Sequence, residues 1–283
     1  MYRPPLALAL LPALLMAASP SLAFAANGPI QDNSFLVEEA YNQEPGVIQH
    51  ISAFNRSPRT GEWAYSFTEE WPVLGQTHQA SITINAAGLR SPSRSGLGDV
   101  ALNYRWQAVG DGNATLALSP RVTLLLPGST STPGLGSGGP GLQLNVPMSA
   151  TLSERIVSHT NVGGTYVPSA PAAGGAYGRM ATFSLGQSVI WLAHQNLNFL
   201  AEVVYSSTEP PGSAGTGRVT SLTVNPGLRA AVNFPNGLQM VPGVSVPIGV
   251  GPSRGERAVF FYLSFEHAFR LAGPTDESLA PNR

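Results

Sequence analysis

Two short motifs spell signatures of enzyme chemistry, and neither lies on the elements that the chemistry needs. Gly251–Gly255 reads G-P-S-R-G, matching the G-x-S-x-G turn that presents a nucleophilic serine between a strand and a helix. Gly134–Gly139 reads G-L-G-S-G-G, matching the G-x-G-x-x-G loop that binds a dinucleotide at a helix start. The first motif lies between two strand-like runs, and no helical pattern follows the second. We therefore predict a loop at each, mobile at the second, and no enzyme activity.

The residue types that bind metals or act as covalent nucleophiles are sparse. The chain has no cysteine, so it offers neither a thiolate nor a disulfide. The five histidines are scattered, with no pair at the spacing typical of a metal site: His50, His78, His159, His194 and His267. We expect no metal and no cofactor.

Five charged residues form the most informative group. They lie on the polar sides of alternating runs: Arg105, Arg121, Glu202, Arg229 and Glu266. If the polar sides face a lumen, these side chains meet inside it. Two interpretations follow: the charges pair with one another and fill a narrow barrel, or they form a constriction that selects which solutes pass.

The elements that position these charges are strands. The chain contains 31 glycines and 25 prolines and only 11% charged residues, a composition that disfavours helices. About twelve runs alternate apolar and polar residues at period two. Their predicted spans are 47–55, 61–73, 77–86, 98–109, 114–127, 141–152, 157–168, 179–194, 197–208, 218–234, 238–250 and 257–269.

Short and long connections alternate along the chain. The short ones are 74–76, 110–113, 195–196 and 235–237, and the long ones are 87–97, 128–140, 169–178, 209–217 and 251–256. Transmembrane barrels show this alternation, with short periplasmic turns and longer extracellular loops. The runs also exceed the usual length of soluble strands. The sequence therefore predicts an up-and-down transmembrane antiparallel β-barrel over 46–269.

The last run, Arg257–Phe269, shows the pattern most clearly. It places Phe261, Leu263, Phe265 and Phe269 on a face toward lipid and Glu266 on the opposite face. Aromatic residues near run ends suit the interfacial girdles of such a barrel. They are Trp63, Tyr65, Trp71, Trp106, Tyr166, Trp191 and Phe269.

The two ends of the chain read differently from the centre. Residues 1–25 combine a basic start, a short apolar stretch and an A-F-A site, which is typical of a cleaved signal peptide. Residues 26–45 are polar and acidic, so we expect an exposed N-terminal arm. Residues 270–283 form a polar C-terminal tail.

Two other interpretations of the alternating pattern remain open. The barrel could be closed and serve as a structural scaffold or surface receptor, or the chain could be a secreted soluble β-sandwich, which also alternates. Prolines inside the runs oppose a closed barrel, because each removes a ladder donor. The net charge of −1 gives no reason to expect nucleic acid as a partner.

Several stretches together resemble a known family. Glu38–His50, Glu70–Val73 (E-W-P-V), Gly96–Val100 (G-L-G-D-V) and Pro120–Pro127 are similar to bacterial outer-membrane transporter-like proteins related to the MetA family of the phenol meta-degradation pathway. The resemblance implies export to the outer membrane, insertion by the barrel-assembly machinery, lipid as a partner, and passage of small solutes, hydrophobic or aromatic ones included. Such barrels often end on the aromatic residue of the last strand, whereas fourteen residues follow Phe269 here.

Overall fold

The computed structural model describes residues 30, 32–128, 134–172, 175–213, 217–235 and 238–268. The predicted signal peptide, Phe269 and the predicted tail lie outside the described residues, and those predictions stand untested. No helix in the described ranges is long and apolar enough to cross a membrane.

The described residues form strands along almost their whole length. The strands in the first half are β1 (Val47–Arg56), β2 (Trp63–Val73), β3 (His78–Arg90), β4 (Ser93–Trp106), β5 (Leu116–Leu118), β6 (Arg121–Leu126), β7 (Gly141–Ser153) and β8 (Ile156–Pro171). Those in the second half are β9 (Tyr177–His194), β10 (Leu197–Glu209), β11 (Val219–Ala230), β12 (Val232–Asn233), β13 (Gln239–Ser245), β14 (Ile248–Gly249) and β15 (Val259–Ala268). One short 3-10 helix, Gly251–Ser253, precedes β15.

These strands build twelve walls of one closed antiparallel barrel. Three walls consist of two consecutive strands each: β5 with β6, β11 with β12, and β13 with β14. Each wall pairs with its neighbours in sequence, β11 pairs with β13, and β15 pairs with β1 and β13 to close the ring. The predicted up-and-down barrel is confirmed. A single closed sheet is not a two-sheet sandwich, so the β-sandwich alternative is wrong.

The outer face of the barrel is apolar, as period-two alternation requires. Leu144 is 59% exposed and Phe261 is 52% exposed, although both are large apolar residues. In β15, Phe261, Leu263 and Phe265 point outward, while Glu266 points inward and accepts a hydrogen bond from Gln49. The face assignment made from the last run is therefore correct for its described residues.

The predicted girdle aromatics lie at two levels of the outer face. Trp63, Tyr65 and Tyr166 are near the end of the barrel that carries the long loops. Trp71, Trp106 and Trp191 are near the opposite end, which we call the short-turn end and which also carries the start of β1. Trp106, Tyr166 and Trp191 are each about half exposed. Two such levels suit the two interfaces of a bilayer.

The prolines that argued against closure lie at or opposite breaks in the neighbouring strands. Pro120 separates β5 from β6, and Pro147 on β7 faces that same break. Pro226 on β11 faces the break between β13 and β14, where the N–H of Val246 donates to its carbonyl at 3.1 Å. A missing N–H costs no ladder bond where the partner strand is already interrupted.

One predicted long loop is instead a continued hairpin. β3 runs to Arg90 and β4 begins at Ser93, so most of 87–97 is strand. A register shift between Ile84 and Ala86 accommodates one extra residue on β4. The glycines and serines of this stretch were misread as loop residues, because the pleat continues beyond the apolar band.

The apolar belt predicts a depth-dependent cost for charge. Met148 faces outward near the middle of β7, between the two aromatic levels, and Leu152 faces outward near its short-turn end. We expect Met148→Arg to destabilise the barrel in lipid vesicles by about 2–4 kcal/mol, measured as a lower free energy of unfolding, and Leu152→Arg by about 0–1 kcal/mol. Equal losses in a urea titration would contradict a bilayer centred on Met148.

Candidate functional site

The N-terminal segment lies inside the barrel. We call Ile30 together with residues 32–43 the plug. Asp32 and Val37 are each 1% exposed and Ala40 is fully buried. The prediction of an exposed arm is therefore wrong for these residues. The polar and acidic side chains that suggested solvent are instead matched by polar groups on the inner wall.

The plug has no regular secondary structure, so its backbone N–H groups need partners on the wall. Glu202 accepts two of them, from Leu36 at 2.7 Å and from Val37 at 2.9 Å. Four more bonds follow along the plug, from Glu38 to Asn161, Ala40 to Ser149, Asn42 to Gln107 and Gln43 to Gln79, at 2.7–3.0 Å. Side chains from distant strands thus replace the backbone hydrogen bonds that a neighbouring strand would provide.

Two buried arginines bind the carbonyl groups of the plug. Arg229 donates to the carbonyls of Ile30, Asp32 and Asn33 at 3.3, 2.7 and 2.6 Å. Arg105 donates to the carbonyls of Glu39 and Tyr41 at 3.1 and 2.8 Å, and to Oδ1 of Asn42 at 2.8 Å. The planar guanidinium presents several donors at once, which suits a bundle of converging carbonyls.

Carboxylates of the plug bind the wall in turn. Glu38 forms an ion pair with Arg121 at 2.6 Å. Asp32 accepts hydrogen bonds from Tyr262 and Ser264, both at 2.6 Å, and from Gln49 at 2.9 Å. Charge-assisted bonds of this kind contribute about 1.5–3 kcal/mol each, so the plug is held firmly.

Phe35 provides the apolar anchor of the plug. Its ring packs against Phe260 and Tyr262, with centroids 5.6 and 5.4 Å away. The ring also lies over Gly227 and Gly243, where an added Cβ would come within about 2.6 Å of it. The two glycines therefore make room for Phe35 against the wall.

The structure places all five predicted lumenal charges inside the barrel, but they do not bind one another. Among the described residues, no ion pair joins any two of Arg105, Arg121, Glu202, Arg229 and Glu266. Four of them bind the plug directly, and Glu266 reaches it through Gln49, which donates to both Glu266 and Asp32. The expectation that the charges meet was wrong because the plug lies between their strands.

Sequence reasoning missed the partners of these charges. Glu38 and Asp32 were assigned to an exposed arm, and Glu70, 3.8 Å from Arg105, was not singled out. A signal was present: the inward arginines had no acidic partner at the paired positions of the neighbouring strands. Such an imbalance indicates that another acidic segment enters the lumen.

Burial changes the acidity of two carboxyl groups on the plug, which lies outside the membrane-spanning strands. Burial raises the pKa of Glu39 to about 8; Asp32 adds to the effect, and Arg105 and Arg229 oppose it. Burial also raises the pKa of Asp32, against the opposing influence of Arg229 and of its hydrogen bonds. A nearby Arg cation therefore does not fully compensate the desolvation of either group.

On the long-loop side of the plug, the wall facing the lumen carries hydroxyl and amide groups. Several bond in pairs across neighbouring strands: Thr68 with Thr83 at 2.8 Å, Gln143 with Thr165 at 3.0 Å, Thr182 with Thr208 at 3.0 Å and Ser206 with Ser221 at 2.7 Å. These side chains are partly exposed. The wall between the plug and the mouth thus offers uncharged hydrogen-bonding groups.

The glycine-rich stretch predicted to be a mobile loop packs at the mouth of the barrel. Leu135 is 3% exposed and packs with Ala87 and Leu89. The N–H of Ser137 donates to Asp99 at 2.8 Å. Of this connection, residues 134–140 are described and 129–133 are not. Its glycines allow close packing, and among the described residues no helix begins after them, as a phosphate-binding loop would need.

The remaining sequence motifs take structural roles. Ser253 is buried and accepts the N–H of Leu222 at 3.1 Å, in a strand–loop–strand context that has no nucleophile elbow. His50 and His267, which looked scattered, meet on the outer face with their Nε2 atoms 3.1 Å apart. Within the described ranges, no group of three or more His, Asp or Glu side chains is arranged to hold a metal ion.

The fold is that of known outer-membrane channels. The COG4313 outer membrane channel from Pseudomonas putida F1 superposes with a TM-score of 0.59 at 12% identity, covering 81% of this chain and 98% of that one. The NanC porin superposes with a TM-score of 0.53 at 9% identity, covering 79% of this chain and 100% of that one. No protein-family model and no curated protein sequence matches the chain. The structural neighbours thus support the channel fold and leave the MetA resemblance a prediction.

Proposed function

We propose that the protein is an outer-membrane channel that passes small uncharged solutes passively, without bond chemistry. Three observations support this: the closed barrel with its apolar belt, the fold shared with outer-membrane channels, and the uncharged polar wall above the plug. The lumenal wall is the strongest of these observations, because it faces the space through which a solute would move.

The chemistry of that wall favours uncharged solutes. Hydroxyl and amide groups both donate and accept, so they can replace the water around a neutral polar molecule. They offer no opposite charge to offset the desolvation of an ion. Arg105, Arg121, Glu202 and Arg229 do not offset this desolvation, since they bind the plug. The family resemblance implies hydrophobic or aromatic solutes, and a small aromatic molecule that carries a hydroxyl group would also satisfy this lining.

The plug makes a closed barrel the second candidate function. It fills the short-turn half of the lumen, and wall side chains there are fully buried against it, such as Ser188, Asn225 and Ser264. A barrel sealed in this way would act as a scaffold or receptor through its long loops. Solute flux distinguishes the two functions.

Liposome swelling provides the test. We expect purified protein to admit arabinose several-fold faster than arabinonate, which shares the carbon skeleton but carries a charge. Thr68→Lys, which places a cation on the lumenal wall, should raise arabinonate entry relative to arabinose. Equal rates in the wild type would refute charge discrimination, and no entry of either solute would leave the closed barrel as the better function.

A further inference from the structure

A cavity lies on the short-turn side of the plug. It has a volume of about 120 Å³, well above the ~10–15 Å³ that one water needs. Plug residues form one side and β7 to β11 form the other. The lining includes Ile30, Asp32, Glu39, Tyr41, Thr151 and His159, with Glu154 of the β7–β8 turn at its rim.

Glu39 is the unusual residue of this cavity. Its side chain lines the cavity although the residue is only 5% exposed. The Glu39 backbone binds Arg105 and Asn33, but no hydrogen bond or ion pair to its carboxylate is found among the described residues. A buried carboxylate without a partner is costly, and natural proteins seldom leave one so.

The charges around Glu39 favour a cation. The carboxylates of Asp32, Glu70 and Glu266 lie in the same half of the lumen and are bridged by glutamine amides rather than each by an arginine. The groups that act on Glu39 from the surrounding elements or share its cavity are Asp32, Tyr41, Glu70, Arg105, Glu154, His159, Arg229 and Glu266. Both arginines are committed to plug carbonyls, although Nε of Arg229 has no partner.

Part of the strand side of the cavity is apolar. Val157, Ile190 and Leu192 form this part, and Ile190 is 1% exposed. A bare metal ion would gain nothing from this surface, whereas an alkyl group would be removed from water against it. The ligand that satisfies both walls carries a positive head and a short apolar tail.

We propose that this cavity is a binding site for a small organic ammonium ion, with the head at Glu39 and the alkyl chain against Val157, Ile190 and Leu192. The assignment does not depend on passage through the channel. A ligand bound between plug and wall also contacts both, so it would stabilise the plugged state by its binding free energy.

Calorimetry on the full mature chain in detergent micelles tests the site, with n-butylammonium as the probe. We expect saturable binding at pH 9 that weakens at least tenfold at pH 6, because Glu39, with its pKa raised to about 8, must lose its proton to pair with the cation. Glu39→Gln should weaken binding at pH 9 at least tenfold and remove this pH dependence. Glu69→Gln, which removes a carboxylate from the outer face, is the matched control and should bind like the wild type.

The comparison ligands make the proposal refutable. n-Butanol that binds as tightly as n-butylammonium would show an apolar pocket without a cation site, and tighter binding of butyrate would show that Arg229 dominates. Sodium competing at equal concentration would remove the role of the alkyl wall. If n-butylammonium did not bind to folded wild-type protein, the site would be overturned; folding is checked by the shift in gel mobility on heating. Failure of arabinose entry into liposomes would leave the site intact.

Discussion

We expect deletion of residues 30–43 to raise the single-channel conductance several-fold above that of the wild type. The plug occupies the short-turn half of the lumen and contacts inward side chains on most of the walls. A twelve-walled barrel is wider than the eight-stranded barrels that side chains alone can fill, so removal leaves a hydrated path. Planar bilayer recordings at fixed salt measure the change.

The control for this deletion shortens the chain elsewhere. Removing residues 58–60 from the exposed β1–β2 loop leaves the lumen untouched and should leave the conductance unchanged. Both variants should retain the heat-dependent shift in gel mobility of a folded barrel. An unchanged conductance in a folded plug deletion would show that the plug does not limit flow.

Arg229→Met produces the second large effect, through a single side chain. Arg229 is 1% exposed and bonds three plug carbonyls, so its loss leaves buried carbonyls without donors and the Asp32 carboxylate without its nearby cation. A buried polar group that loses its hydrogen-bond partner costs about 1–3 kcal/mol. We expect the N-terminal part of the plug to detach, seen as new open events in bilayer recordings and as cleavage near Asn33 by added protease.

Arg218→Met is the matched control. It removes the same charged group from an arginine whose side chain is 44% exposed, which lies 3.8 Å from Glu209 and donates to Ser207 at the long-loop end. Exposed pairs contribute about 0–1 kcal/mol, so this variant should resemble the wild type in both assays. If the two variants behaved alike, Arg229 would not hold the plug.

The sequence predicted the barrel wall well because the wall depends on local pattern. Period-two alternation placed the strands, and the outward phenylalanines of β15 followed from parity alone. The alternation of short and long connections predicted the closed up-and-down barrel. The errors at 87–97 arose where strands continue beyond the apolar band and the alternation becomes polar on both faces.

The plug could not be predicted from the same local pattern, because its contacts are long-range and polar. Asp32 bonds Ser264, 232 residues away, and Val37 bonds Glu202, 165 residues away. No local period marks a segment whose backbone is satisfied by side chains from distant strands. Phe35 and Val37 within an acidic stretch, together with inward arginines that have no acidic residue at the paired positions of neighbouring strands, were the available hints.

These separations in sequence tie the plug to the closure of the barrel. The plug precedes every strand in the chain, yet its partners include Glu202 on β10, Arg229 on β11, and Tyr262 and Ser264 on β15. Tyr262 and Ser264 lie on β15, which pairs with β1 to close the ring, so the complete set of plug contacts exists only in the closed barrel. Contacts between residues so far apart in sequence close long loops and slow folding. A fully bound plug is therefore diagnostic of a closed barrel, because an open sheet cannot supply all of its partners.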